Sequence, residues 1–540
     1  MPPLSLPQYL DKVHALSAGL FAFIAALYYI RRSVPAVRTP KHKGPPASRF
    51  LLGALADISE ALNSGTNIAL FDKWVKEYGP VFGLKMPFGS RGVAICDVKA
   101  AAHMLSKDTL TYRQMKFNSI IVEQSVGPGI LWAEDEVHRR QRRGLTPAFS
   151  NSAIRSYVSV FYDSAYKIKG AWEAILDTGA DTIEIQSWAS RYALDNIGIA
   201  GFGYDFGSLD GNRPAVMDYF NALKSPEDAG VLSRILFLMG SIFPSLLRIP
   251  TEASLLLTGI KGSLKHVAED MMSKAKHQIK TGLEKELEKS IIGLLIKSEN
   301  ATGIWTLSEE EVFAQVRTLL LAGYETSTFT VSWALIELCR NPKAQERLRK
   351  ELAELGSDPT WEQMSYGLPY LNGVFQETIR LHAPLNEILR TAHFDDVIPL
   401  GKPITTASGE VITELPIAKG TAVLCSLSYI NQSEELWGPD AKEFKPERWI
   451  EGEGELRAGA KAIPGYHHVL TFSDGPRICL GKAFAVASVK ANLAVLIRNF
   501  EFALPLGPDT PIGVHKGILR RPKLVSEDGP RIWMNVRRVN

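Results

Sequence analysis

Apolar positions fall along the chain in three patterns. The first is continuous: residues 13–30, VHALSAGLFAFIAALYYI, are predominantly apolar and run straight into Arg31-Arg32. At about 1.5 Å per residue such a run just spans a hydrocarbon core, and Tyr28 and Tyr29 suit its interface. A cleaved signal peptide is the rival reading; the length of the apolar run and the lack of a small-residue cleavage site before the basic cluster argue against it. Asp11 and Lys12 precede the run, whereas Arg31, Arg32, Arg38, Lys41, Lys43 and Arg49 follow it, which places the body on the cytosolic side. Pro35, Pro40, Pro45 and Pro46 then stiffen a segment that cannot be helical. The expected division is an anchor at 1–32, a basic proline-rich linker at 33–50 and a body at 51–540.

The second pattern has helical spacing and dominates the body, where the first regular elements are expected from about residue 66. Phe71–Tyr78 reads as a helix, and 153–300 is mostly helical with no internal repeat. The longest helix is bounded by a capping box, Ser308 with Glu311, and by Asn341-Pro342, giving about 33 residues or roughly 50 Å. Ile235–Ile249 is very apolar but carries Pro244 and Arg248 and is too short to span a membrane, so it fits either the core or a surface that dips into a bilayer. The third pattern alternates. Val81–Leu84 and Gly92–Cys96 read as short strands, and Gly517–Val536 as a hairpin. Tyr112–Leu131 shows no clear period. The fold class is therefore mainly α with small β-sheets.

Composition narrows the functions. With 45% hydrophobic and 22% charged residues the 540-residue chain is ordinary and globular, and a net charge of +3 implies no nucleic-acid partner. Cys96, Cys339, Cys425 and Cys479 are too few for a disulfide framework, and no C-x-x-C pair suggests zinc, which fits a reducing compartment.

Cys479 lies in TFSDGPRICLGKAFA, between Gly475 and Gly481, ahead of an apolar helical run. Glycines that permit a tight loop would deliver its thiolate to a helix N-terminus, where the dipole lowers its pKa and fits it to be a nucleophile or a metal ligand; a buried structural cysteine is the plain alternative. Inside the long helix, Ala322-Gly323-Tyr324-Glu325-Thr326-Ser327 sets a glycine and an acid–alcohol pair where both cost stability, as at a site; a kink with a back-bonding threonine is the alternative. His138 and Arg142, four apart, would share a helix face, while Arg139, Arg140 and Arg143 form either a basic docking face or a solvated one. Glu377-Thr-Ile-Arg380 is an i,i+3 pair, and Phe444-Lys-Pro-Glu-Arg448-Trp449 lies beyond it.

Phe472, Gly475, Arg477, Cys479 and Gly481 match, in order and spacing, the haem-binding signature of the cytochrome P450 family, and the other motifs follow in that family's order. The chain resembles its membrane-bound eukaryotic, fungal-type members. That resemblance implies one haem domain rather than several, with heme b iron bound by Cys479 and cofactor contacts from Phe472, Gly475, Arg477 and Gly481. Haem propionates would be held by Arg142, by His138 in place of the family's usual Trp, and by Arg390. Thr326 would hydrogen-bond the oxygen and Glu325 serve the proton path. Glu377, Arg380 and Arg448 would lock into a buried structural triad. Glu387, unusual at its position, reads as turned to solvent or to a nearby arginine, or as holding a polar substrate group. The implied reaction is hydroxylation of a lipophilic small molecule (terpenoid, sterol, fatty acid or polycyclic aromatic) by O2, with electrons from an NADPH-cytochrome P450 reductase at the endoplasmic reticulum membrane. An oxygen-independent isomerase or dehydratase and a non-catalytic haem sensor are the alternatives.

Overall fold

The computed structural model describes residues 42–49, 52–222, 243–281, 290–299, 307–517 and 519–539, with four isolated positions between 233 and 240. The span expected at 13–30 and the start of the linker lie outside them, and no described helix is long and apolar enough to cross a membrane.

The helix Glu309–Arg340 is enclosed by the others. The Ser308 hydroxyl accepts from the Glu311 N–H at 3.3 Å, and the Glu311 carboxylate accepts from the Ser308 N–H at 2.8 Å. This is the expected capping box. Asn341 ends the helix just before Pro342 begins the next one. Buried residues occupy all its faces, which is why its sequence carries no one-sided apolar stripe. The helix Ile185–Asn196 lies along it and continues into a π-helical turn, Ile197–Gly201; Pro369–Leu381 and Lys482–Asn499 also pack against it.

Five strands form the main sheet: β1 (Val81–Lys85), β2 (Arg91–Ile95), β3 (Tyr112–Gln114), β4 (Glu387–Ala392) and β5 (Ala422–Ser426), in spatial order β1-β2-β5-β4-β3. Only β2 and β5 run parallel, with Val93 opposite Val423 and Ile95 opposite Cys425. The two-residue period sorts the side chains. Val93, Ile95, Val423 and Cys425 face the main core, while Phe82, Leu84, Ala94 and Leu424 face a second cluster with Phe71, Trp74 and Tyr429.

Several expectations need correction. Regular structure starts before residue 66, with the helix Ala54–Ser64, and Gly83 N–H donates to the Lys43 carbonyl at 2.9 Å, so residues of the linker already pack on the body. Lys116–Ser125 is a helix although its sequence shows no period; none of its residues is buried, so nothing selects an apolar face. The C-terminal hairpin joins Ile512–His515 to Arg521–Leu524, whereas Trp533–Arg538 leaves it to pair with Thr182–Glu184 and Phe500–Ala503. Of the apolar stretch at 235–249, Met239 and Gly240 are buried, but Pro244–Arg248 is a short 3-10 helix with no buried residue.

Buried charges hold the region behind the Cys479 loop. The fully buried Glu377 carboxylate accepts from Arg380 at 2.8 and 2.7 Å, Arg448 at 3.3 Å, the Trp449 indole at 2.9 Å and the Lys445 N–H at 3.1 Å. Arg380 also donates to the carbonyls of Asn431, Ala441 and Glu443, and Arg448 to Asp440. Burial opposes ionisation of Asp440, yet Lys445 and Arg448 draw its carboxyl down to about 2. Glu387 is the contrast. Its Oε1 is buried with no hydrogen-bond partner, and burial pushes its carboxyl up to about 7 against the opposing charge of Arg520. It makes no ion pair among the described residues, although the charge of Arg520 acts on it in the direction expected of a nearby arginine.

Arg448→Met is expected to cost about 3–5 kcal/mol by leaving buried carboxylates uncompensated, read as a fall in melting temperature and haem content. For Glu387 the folded pKa lies above the ordinary 4.5, so the native state keeps a proton that the unfolded chain loses. Stability from this group is whole below about pH 4.5 and is lost, by up to about 3 kcal/mol, as pH rises through 7. Glu387→Gln should therefore melt higher than wild type at pH 8, with the gap closing towards pH 5. An equal gap at both pH values would show that no proton is involved.

Candidate active site

Cys479 is placed by a turn that its neighbours impose. Ser473 and Gly475 take φ of 59° and 68°, and at Gly475 a Cβ would run into the Leu105 carbonyl, so glycine is required there. The Cys479 N–H donates to the Phe472 carbonyl at 2.8 Å, and the Phe472 ring meets Tyr466 edge-on at 5.5 Å. Gly481 caps the helix Lys482–Asn499 at φ −82°, where a Cβ would meet only Phe149 at 3.8 Å; its own backbone does not demand glycine.

Among the four cysteines, Cys479 alone is exposed. Protein nonetheless surrounds its sulfur closely enough that burial pushes the thiol pKa up, over the opposing pull of the Gly481 N–H, Arg142 and Lys482. This reverses the expected lowering by the helix dipole: desolvation outweighs the nearby positive charge. Burial also raises the thiols of Cys96, Cys339 and, to about 12, Cys425.

On the long helix, Ala322 is exposed and Thr326 half-buried while Tyr324, Glu325 and Ser327 are buried. Residues i and i+4 share a face, so one narrow strip of the helix looks onto open space. The Thr326 hydroxyl donates back to the Ala322 carbonyl at 2.8 Å. Glu325 projects elsewhere, into an ion pair with the buried Arg521 of the C-terminal hairpin. Gly323 serves packing, since a Cβ would stand 2.9 Å from Ile197 Cγ1. Ala322 is therefore the residue of this segment that opens most fully onto that space.

His138 and Arg142 share a face of the helix Asp135–Leu145, beside a cleft of about 660 Å³ bounded by Gly475 and Pro476. Burial, with Arg477 and Arg142 nearby, draws the His138 imidazole down to about 4, so it is neutral near pH 7. Burial lowers the Arg142 pKa, Cys479 opposes this and Arg477 adds to it; Arg142 has no carboxylate partner among the described residues. Arg477 is paired with Glu134 at 2.9 Å and Asp108 at 3.5 Å, yet its buried Nε makes no hydrogen bond. Arg390 is engaged by Asp108 through two hydrogen bonds of 2.9 and 3.0 Å. Arg140 is not part of a free basic face: it pairs with Glu311 of the capping box, while Arg139 pairs with Glu136 at the surface.

Asp108, Glu134 and Arg521 escaped the sequence reading. Asp108 and Arg390 lie 282 positions apart and Glu325 and Arg521 196, and no local pattern announces such pairs. The residues present fit a haem. An exposed cysteine, a guanidinium without a carboxylate partner among the described residues and an orphaned buried Nε are what a haem, through its iron and its two ring propionates, would satisfy.

A sequence model of the family described as Cytochrome P450 matches residues 44–526. Cytochrome P450 monooxygenase claW of Ampulloclitocybe clavipes is 44% identical over 527 residues, covering 96% of each chain. Cytochrome P450 monooxygenase 205 of Postia placenta is 32% identical over 531 residues, 95% of this chain and 94% of that one. Ganoderic acid synthetase CYP5150L8 of Ganoderma lucidum is 32% identical over 500 residues, 87% and 90% of the two chains. Together with an exposed Cys479, an Arg142 without a carboxylate partner among the described residues and a long helix opened at Ala322, these likenesses complete the identification: the chain belongs to the cytochrome P450 family, haem-thiolate monooxygenases that use O2, a redox partner and a small-molecule substrate.

Proposed function

We propose that this chain hydroxylates a lipophilic small molecule, with Cys479 as the axial ligand of heme b and with electrons from an NADPH-cytochrome P450 reductase. The observation that carries this reading is the accessible Cys479 sulfur on a loop fixed by Gly475, beside an Arg142 that lacks a carboxylate. The bound haem supplies oxygen activation, and a thiolate ligand favours cleavage of the oxygen–oxygen bond. Arg142 and His138 would hold the propionates of the bound haem, and Arg477 would add its remaining donor. Thr326 can turn its hydroxyl from the Ala322 carbonyl towards a ligand, exchanging one hydrogen bond for another. A proton route through Glu325 requires its carboxylate to swing away from Arg521.

A relative named for making ganoderic acid favours a small organic molecule over a macromolecule. The apolar run 13–30 with its basic sequel supports an anchor at 1–32, a linker at 33–50 and a single haem domain at 51–540 on the cytosolic face of the endoplasmic reticulum. The intact acid–threonine pair and the monooxygenase relatives favour oxygenation over isomerisation or sensing.

The dithionite-reduced, carbon-monoxide-bound protein should show a strongly red-shifted Soret band that Cys479→Ser abolishes; a wild-type band where histidine-ligated haem absorbs would overturn the assignment. With reductase and a turned-over substrate, Thr326→Ala should lower product formation by about 10²-fold while NADPH consumption persists. Parallel loss of both would show that Thr326 does not govern proton delivery.

A further inference from the structure

The turn after the helix Val98–Ser106 holds a strained residue. Thr109 sits at φ 74°, in the left-handed region that β-branched side chains rarely adopt, and it is 4% exposed. Such strain persists where surrounding structure over-determines it. Here the Thr109 N–H donates to Asp108 Oδ1 at 2.8 Å and to the Tyr112 carbonyl at 2.9 Å, and Lys107 gives its carbonyl to Thr111 and Tyr112.

The turn sets one carboxylate between two arginines from distant parts of the chain. Asp108, with a side chain 2% exposed, takes Arg390 at 2.9 and 3.0 Å and lies 3.5 Å from Arg477 Nε. It also acts on His138, whose pKa it raises against Arg477 and Arg142. Around the propionate face, then, the guanidinium groups of Arg142, Arg390 and Arg477 stand against the carboxylates of Asp108 and Glu134. A plain brace between a turn and β4 would need only Arg390. Asp108 reaches the cluster as a whole.

We propose that Asp108 is a positioning residue for the cofactor: it fixes Arg390 and Arg477 and leaves the site one negative charge richer, which favours the ferric over the ferrous state. Charge near a site of low effective dielectric shifts its equilibrium directly. This inference rests on the haem-thiolate reading above.

The test uses full-length, haem-loaded protein and potentiometric titration of the ferric/ferrous couple. Asp108→Asn keeps shape and acceptor oxygen but removes the charge. It should move the couple about tenfold towards ferrous iron, about 59 mV upward for one electron. Asp108→Glu, which keeps the charge, should stay within twofold of wild type. A lower melting temperature for Asp108→Asn with the couple unmoved would mark a structural brace and overturn the proposal. If Asp108→Asn holds no haem, Asp108→Glu decides: an unchanged couple supports the charge role and a tenfold displacement overturns it. The carbon-monoxide band of each sample separates the two readings. A wild-type band without the red shift undoes the thiolate assignment, whereas a shifted band with an unmoved couple undoes only the role of Asp108.

Discussion

A single carboxylate, that of Glu377, ties together the parts of the chain that must stay in register behind the cysteine loop. It is buried completely, and it gathers Arg380 from its own helix and Arg448, Trp449 and Lys445 from a segment some seventy residues on. Taking these charges out of water is costly, and the cost is offset only while every donor is in place. The arrangement therefore behaves as all or none. Arg380 spends its further donors on the carbonyls of Asn431, Ala441 and Glu443, so irregular backbone that no helix or sheet would organise is pinned by one guanidinium. Asn431 in turn accepts from the Leu470 N–H at 2.9 Å, immediately before the stretch that carries Cys479.

The same economy of charge shapes the ligand side in the opposite sense. Behind the loop the donors of Arg380 and Arg448 all find acceptors; in front of it Arg142 has no carboxylate partner among the described residues and Arg477 Nε makes no hydrogen bond. A closed network gives rigidity, and an open one gives affinity for something that carries carboxylates. Asp108 and Glu134 keep the open network from being merely repulsive before a ligand arrives.

Local chemistry was legible in the sequence, and long-range pairing was not. The capping box at Ser308, the i,i+4 face of His138 and Arg142, and the glycine demanded at Gly475 are all set within a few residues, and each stands as read. Glu325 was visible as a costly buried acid, but its partner Arg521 was hidden among the residues of a hairpin tip. Gly323 was legible as a violation, but the neighbour that needs its space, Ile197, lies on another helix and was not. The cysteine pKa failed for a related reason: the dipole is a property of one helix, whereas desolvation is a property of everything around it. The helix Lys116–Ser125, with no buried residue, had no pattern to show.

The distribution of thiols also bears on the protein's life before it acquires a cofactor. Cys96, Cys339 and Cys425 are enclosed and hard to ionise, so oxidants and electrophiles meet them rarely, while Cys479 stands open. Because burial raises the Cys479 thiol as well, exposure rather than ease of ionisation sets it apart, and it is the one sulfur that iron would cover.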